Sequence, residues 1–236
     1  MAEIVELTER ERQRLETLRR ASTTKKVLAT VPLALFILFA ILWAIPATRD
    51  LATGSDERNP VQIATFVLMT VAGVLGFRLA FRTWRLGHPW WLAGFFLVFG
   101  LGAFIVALDE IAWGQVLVDV AQGSSGVEAT TGFGELSGLR ERAEAFRVAF
   151  SVIGIFGALY LPRTVLRFAA PSRTLLPWFA VIGAASLVDL IGDFVDLGSR
   201  TLDFLQRASE LTEMMIAVVA VLYLYERARD LWFRIP

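Results

Sequence analysis

Long apolar segments alternate with short polar segments along most of the chain. Six of the apolar segments approach the roughly 20 residues that a helix needs to cross the hydrocarbon core of a bilayer. They occupy about residues 27–45, 61–81, 90–108, 149–166, 175–195 and 208–225. The pattern predicts an all-α fold, a polytopic membrane helical bundle of about six transmembrane helices, in a domain that covers residues 27–236.

Residues 1–26 form a polar segment ahead of the first apolar run. Thr8 and Glu11 have the spacing of a capping box, in which two side chains satisfy backbone N–H groups at a helix start. The rest of the segment is highly charged and has only a thin apolar stripe. We predict a short cytoplasmic or interfacial amphipathic helix here, because the charged region is too long for a signal peptide.

The basic residues are distributed unevenly between the two ends of the predicted spans. If the N-terminus is cytoplasmic, sixteen of the 23 Lys and Arg residues fall on the cytoplasmic side. The seven on the outer side are Arg49, Arg58, Arg140, Arg142, Arg147, Arg200 and Arg207. The positive-inside rule therefore predicts that both termini are cytoplasmic.

Small residues recur inside several predicted spans. They are Gly100, Gly102, the pair Gly154 and Ala158, and the pair Ala180 and Ala184. Small side chains allow the backbones of two transmembrane helices to approach closely. We predict close helix packing at these positions.

The composition supports a membrane protein and limits its chemistry. Hydrophobic residues make up 56% of the chain and charged residues 19%, against roughly 45–50% and about 25% in soluble domains. The formal net charge is zero, so a nucleic-acid partner is not expected. Cysteine is absent and His88 is the single histidine, which excludes disulfides, thiolate metal sites, a cysteine nucleophile and zinc sites built from several histidines.

Acidic residues accumulate at the outer ends of three predicted spans. They are Asp109 and Glu110 after span three, Asp189, Asp193 and Asp196 in span five, and Glu210 and Glu213 in span six. In spans five and six the spacings of three, four and seven residues place these side chains on single helix faces. Ionisable residues within spans face the bundle interior or a water-filled cavity. The sequence thus predicts an outward-facing acidic cluster.

Crowded carboxylates in a medium of low dielectric constant are either partly protonated or neutralised by cations. The candidate partners are Arg140, Arg142 and Arg147 in an amphipathic lead-in to span four, and Arg200 and Arg207 in a polar joint before span six. Three interpretations remain open: ion pairs that fix the helices, a hard divalent cation (Ca²⁺, Mg²⁺ or Mn²⁺) on carboxylate oxygens, or a proton or ion pathway through Asp189. No other cofactor is expected. Two further residues are candidates for supporting the acidic cluster. Trp113 would cap the cavity or belong to the aromatic belt at the membrane interface, and Gln115 would donate a hydrogen bond to a neighbouring carboxylate.

The stretch Asp109-Glu110-Ile111-Ala112-Trp113-Gly114-Gln115 resembles a motif, E-E-I-S-W-G-Q, found in a group of uncharacterised bacterial multi-pass membrane proteins. Glu210-Leu211-Thr212-Glu213 is similar to the E-x-x-E pattern that opens a later span in that group. Ala112 replaces the serine of the motif, and a Gly/Ser-rich loop replaces the Asn/His-rich segment that follows it. The resemblance implies a bacterial inner-membrane location and brings no known activity.

Zinc-dependent lipid amidases of the alkaline ceramidase type are similar to this chain in size and in their acidic outer spans. Those enzymes need several histidines, and this chain has one. Membership of that family would therefore require a metal held by carboxylates alone.

The leading functional hypothesis is a non-enzymatic membrane subunit or scaffold, alone or as a homo-oligomer. Its acidic cluster would hold the bundle together or contact a protein partner, lipid or cation. No thiol is present, and Ser186 has no base near it in sequence except the acids. The first alternative is a carboxylate- or metal-dependent enzyme acting on a lipid or lipid-linked substrate. The second is a small proton-coupled transporter.

Overall fold

The computed structural model describes residues 26–45, 60–110, 143–192 and 199–233, together with Thr23. Its long elements are the helices α1 (Lys26–Ala44), α2 (Pro60–Arg85), α3 (Trp90–Glu110), α4 (Ala143–Tyr160), α5 (Leu176–Gly192) and α6 (Ser199–Phe233). Within these described ranges, six helices are long and apolar enough to cross a membrane, which confirms the all-α, multi-pass prediction. The predicted N-terminal helix over residues 1–26 lies almost wholly outside the described residues.

Two of the candidate spans differ from the predicted ones by five or six residues at one end. The fourth candidate span is Glu144–Arg163 rather than about 149–166, because α4 already begins at Ala143. Residues 143–147 of the predicted lead-in belong to α4, where the side chain of Arg147 is buried and paired. The sixth candidate span is Arg207–Leu231, and the predicted polar joint before it is helical from Ser199 onward.

Helix α6 lies at the centre of the bundle. Its 35 residues span about 52 Å at 1.5 Å per residue, well beyond a ~30 Å hydrocarbon core. Met215, Ala217 and Leu224 on this helix are fully buried. Near its start, the ring of Phe204 packs 5.9 Å from that of Trp43 in α1, and further along Tyr223 packs against α3.

Helices α2 and α3 form a tight antiparallel hairpin. At its turn, His88 donates its backbone N–H to the carbonyl of Thr83, and Gly87 has a φ of 71°, as expected for a glycine-terminated helix. A Cβ on Gly76 would lie only 2.6 Å from the Cα of Gly100, so the two backbones are in contact. The prediction of close packing is confirmed at Gly100.

The other small residues divide into two groups. Gly154 of α4 faces the ring of Phe179 in α5, where a Cβ would lie 2.3 Å from a ring carbon, and Ala158 is fully buried. Close packing is therefore confirmed on α4. A Cβ added to Gly102 would have no neighbour within 4 Å among the described residues. Ala180 and Ala184 are also exposed, so the predictions for these three positions are wrong: they face outward from the bundle.

Most of the described arginines lie at one end of the bundle and most of the described carboxylates at the other. The ring of His88, in the α2–α3 turn, is 6.3 Å from that of Phe168 in the connection between α4 and α5. Tyr223 donates its hydroxyl to the carbonyl of Ala169 in the same connection, at 2.7 Å. We call this the basic end, and it carries Arg85, Arg163, Arg167, Arg173 and Arg229. The other is the acidic end, with Glu144, Asp189 and Glu213.

Candidate functional site

One buried arginine binds carboxylates at the acidic end of the bundle. Arg147, in the second turn of α4, has a side chain that is only 6% exposed. Its Nη2 donates to Asp189 Oδ2 at 3.0 Å and to Glu144 Oε1 at 3.2 Å. Its Nη1 donates to Glu213 Oε1 at 3.2 Å. We call these four residues the Arg147 network.

The Arg147 network connects three helices that are distant in sequence. Glu144 lies one turn before Arg147 on α4, Asp189 is in the last turn of α5, and Glu213 is in the middle part of α6. A buried charge is stable only when it is paired, and loss of one partner typically costs 3–5 kcal/mol. The geometry therefore makes Arg147 the residue that fixes the relative positions of α4, α5 and α6 at this end.

The network is not sealed from the surroundings. The carboxylate side chains are 18% exposed at Asp189, 24% at Glu144 and 39% at Glu213. The same side chains can therefore bind Arg147 and present oxygen atoms at the surface of the protein. Glu213 is the most accessible of the three.

A second ion pair lies beside the network on α6. Arg207 donates to Glu210 Oε1 at 3.3 Å, and both side chains are about one quarter exposed. This pair joins two residues of one helix, whereas the Arg147 network joins three helices.

Three buried polar atoms near the network have no hydrogen-bond partner within the described part of the chain. They are Nε of Arg147 and the hydroxyls of Ser151 and Ser186. Ser151 lies one turn beyond Arg147 and faces Gly183, while Ser186 lies one turn before Asp189. Because α4 and α5 are antiparallel here, both serines lie on the helix–helix face next to the network, on the side away from the start of α4.

The structure brings together only part of the predicted acidic cluster. Asp189 and Glu213 meet at Arg147, and Glu210 pairs with Arg207. Asp109 is exposed in the last turn of α3 and is not among the carboxylates that bind Arg147, so it does not join the network. The predicted Trp113, Gln115, Arg140, Asp193 and Asp196 lie outside the described residues, as do the side chains of Glu110 and Arg200.

Sequence reasoning missed Glu144 as a member of the site. It precedes Arg147 by three residues, a spacing that allows an ion pair on one helix face. That signal is present in the sequence, but the charged segment is also typical of a lead-in outside the membrane. Because α4 begins at Ala143, Glu144 and Arg147 both lie on this helix and both belong to the network.

The arrangement restricts what the carboxylates can do chemically. Oxygen atoms of all three lie 3.0–3.2 Å from guanidinium nitrogens, so a cation already occupies the point where they converge. Within the described ranges, no three His, Cys, Asp or Glu side chains are grouped as metal ligands. The interpretation as a hard divalent cation site would need acids such as Asp193 and Asp196, which lie outside those ranges.

Comparisons with family models, with curated proteins and with solved structures yield no match to this chain.

Proposed function

We propose that this chain is a non-enzymatic integral protein of a bacterial inner membrane, a subunit or scaffold with both termini in the cytoplasm. In this proposal the acidic end faces outward and contacts a protein partner through its carboxylates. The resemblance of residues 109–115 and 210–213 to bacterial multi-pass proteins agrees with this location. The excess of basic residues at the other end supports the orientation.

The observation that carries the proposal is the engagement of Arg147 by carboxylates from three helices. A catalytic carboxylate needs access to substrate, whereas these three are bonded to a buried guanidinium. Such a network holds a fixed surface in place, and Glu213 at 39% exposure offers an acidic contact point to a basic group. The proposal therefore assigns the network a structural and recognition role.

The test is the composition of the complex extracted from native membranes in polymer nanodiscs. We expect a partner of fixed stoichiometry that is retained by the wild-type chain and lost from Glu213→Gln. Asp230→Asn is the matched control, because it removes a carboxylate paired with Arg227 at the basic end. A chain that is extracted without any stoichiometric partner would contradict the proposal.

A proton-coupled transporter is the second candidate, and one specific observation favours it. The unpartnered hydroxyls of Ser151 and Ser186 extend a polar path from Asp189 along the α4–α5 interface within the described part of the bundle. Purified protein in proteoliposomes loaded with a pH-sensitive dye tests this candidate. Proton entry that is abolished by Asp189→Asn would favour transport over the scaffold.

A lipid-active enzyme remains the third candidate, and the described residues lend it less support. Ser186 is 2% exposed and inaccessible as a nucleophile. Asp189 and Glu213 would have to leave Arg147 to act as an acid–base pair. Turnover of a lipid substrate that Asp193→Asn abolishes in folded protein would favour this candidate.

A further inference from the structure

The connection between α4 and α5 combines arginines with an exposed apolar side chain. It is built from short 3-10 turns, including Leu161–Arg163 and Val165–Phe168. Arg163 and Arg167 are exposed, and Val165 between them is 84% exposed. Apolar side chains beside basic ones are typical of segments that lie at the boundary between lipid headgroups and acyl chains.

The α2–α3 turn lies against this connection and has the same character. The ring of His88 is 6.3 Å from that of Phe168. Near His88 in sequence, Arg85 is exposed and Trp90 is 84% exposed. The two segments together form one surface with cationic groups and apolar side chains on it.

Arg167 is held in position on this surface. Its guanidinium carbon lies 4.9 Å from the centroid of the Phe168 ring, within the range of a cation–π contact. A cation–π contact uses no N–H hydrogen bond, so the guanidinium N–H groups can still donate to an anion. An arginine fixed in this way loses less side-chain entropy on binding.

We propose that this surface binds the phosphate group of an anionic glycerophospholipid. Its cationic members are Arg85, Arg163 and Arg167, and we call it the arginine surface. Arginine matches phosphate with two parallel hydrogen bonds. Val165 and Trp90 lie beside the arginines, where the glycerol and acyl chains of a lipid, but not a free phosphate ion, provide apolar contacts. The proposal is independent of the Arg147 network at the opposite end.

Native mass spectrometry of the full chain in a neutral detergent tests this proposal. It measures the Kd for phosphatidylglycerol and for phosphatidylcholine with identical acyl chains. Each arginine near an anionic membrane surface contributes a factor of roughly five to binding. We therefore expect the double variant Arg163→Gln/Arg167→Gln to bind phosphatidylglycerol roughly 25-fold more weakly, with phosphatidylcholine binding unchanged.

The control variant is Lys26→Gln/Arg229→Gln, which removes two exposed charges from the same end of the bundle but not from the arginine surface. We expect it to change the Kd by less than about two-fold, because neither side chain belongs to the two segments whose arginines would bind the phosphate. An equal loss in both double variants would show diffuse surface charge and overturn the proposal. Equal wild-type affinity for the two lipids would overturn it as well.

Inorganic phosphate separates a lipid site from a simple anion site. We expect no displacement of phosphatidylglycerol by an equal concentration of phosphate, because phosphate lacks the acyl chains. Displacement would identify a soluble anion as the ligand and would contradict the proposal. Thermal unfolding checks that each variant is folded. If the double variant does not fold, the single variants Arg163→Gln and Arg167→Gln replace it, and each should bind phosphatidylglycerol roughly five-fold more weakly.

Discussion

Trp178 of α5 donates its indole N–H to the backbone carbonyl of Leu28 in α1, at 2.8 Å. Leu28 lies four residues before Pro32, whose nitrogen carries no hydrogen for that carbonyl. A carbonyl that is left without a hydrogen-bond partner in the protein interior costs about 1–3 kcal/mol. Trp178 therefore supplies the donor that Pro32 removes, and it attaches α1 to the rest of the bundle.

We predict that Trp178→Phe destabilises the protein by roughly 1–3 kcal/mol, because it removes the donor but keeps an aromatic ring. Pro32→Ala restores an N–H that α-helical geometry directs at the Leu28 carbonyl. Trp178→Phe should therefore cost about 1 kcal/mol less in the Pro32→Ala background. Unfolding by sodium dodecyl sulfate in mixed micelles measures both costs. Equal costs in the two backgrounds would contradict this account of the Leu28 carbonyl.

The Arg147 network makes an ordered set of predictions for stability. Arg147→Met leaves three carboxylates without their shared cation, and we expect a loss of about 3–5 kcal/mol. Asp189→Asn removes one of the three acids while Arg147 stays paired, so its cost should be smaller. Arg229→Gln, at an exposed position of the basic end, should change the free energy of unfolding by less than about 0.5 kcal/mol.

Free energies of unfolding for these variants test whether Arg147 holds the three helices. A fully folded Arg147→Met protein with wild-type stability would show that it does not. A larger cost for Asp189→Asn than for Arg147→Met would place the key interaction at another partner of Asp189.

The positions of the spans could be predicted from the sequence. In lipid the backbone N–H and C=O groups must bond to one another within a helix, and a helix that crosses the hydrocarbon core needs about 20 apolar residues in succession. The start of α4 could not be predicted in the same way. Glu144 and Arg147 make the segment look polar, and only the folded chain shows that Arg147 pairs with residues 42 and 66 positions away. Hydropathy of a single segment contains no information about such partners.

The sequence indicates which end of the helices carries the acidic residues, but not which cation each acidic residue binds. The spacing of Glu210 and Glu213 correctly places both on one face of α6, but their partners differ. Glu213 reaches across to Arg147, whereas Glu210 pairs with Arg207 on its own helix. The choice depends on which side of α6 faces α4, and that depends on packing of the whole bundle.

The contact between α2 and α3 predicts a steric effect at Gly76. A methyl group there would lie 2.6 Å from the Cα of Gly100, so Gly76→Ala must separate the two backbones at a cost of roughly 1–3 kcal/mol. Gly94→Ala is the control on α3, because no atom of the described chain lies within 4 Å of its added methyl. We expect Gly94→Ala to be neutral or slightly stabilising through its higher helix propensity. Equal effects of the two substitutions on unfolding would rule out close backbone packing.

Divalent ions should have little effect on the described part of the acidic end, because Arg147 occupies the convergence point of three carboxylates. We expect the purified protein to show the same unfolding midpoint before and after treatment with EDTA. Stoichiometric metal detected by plasma mass spectrometry, with a stability loss on chelation, would contradict this expectation. The Asp193→Asn variant would then show whether acids beyond α5 complete the site.

The orientation of the bundle gives the last prediction, and the absence of native cysteine makes it simple to test. Thr201→Cys lies near the start of α6 at the acidic end, and Arg85→Cys lies at the basic end; both positions are exposed. The positive-inside rule places the basic end in the cytoplasm. In intact cells stripped of their outer membrane, a membrane-impermeant maleimide should therefore label Thr201→Cys and leave Arg85→Cys unlabelled until the cells are lysed. The reverse pattern would place the acidic end in the cytoplasm and would remove the basis for an outward-facing recognition surface.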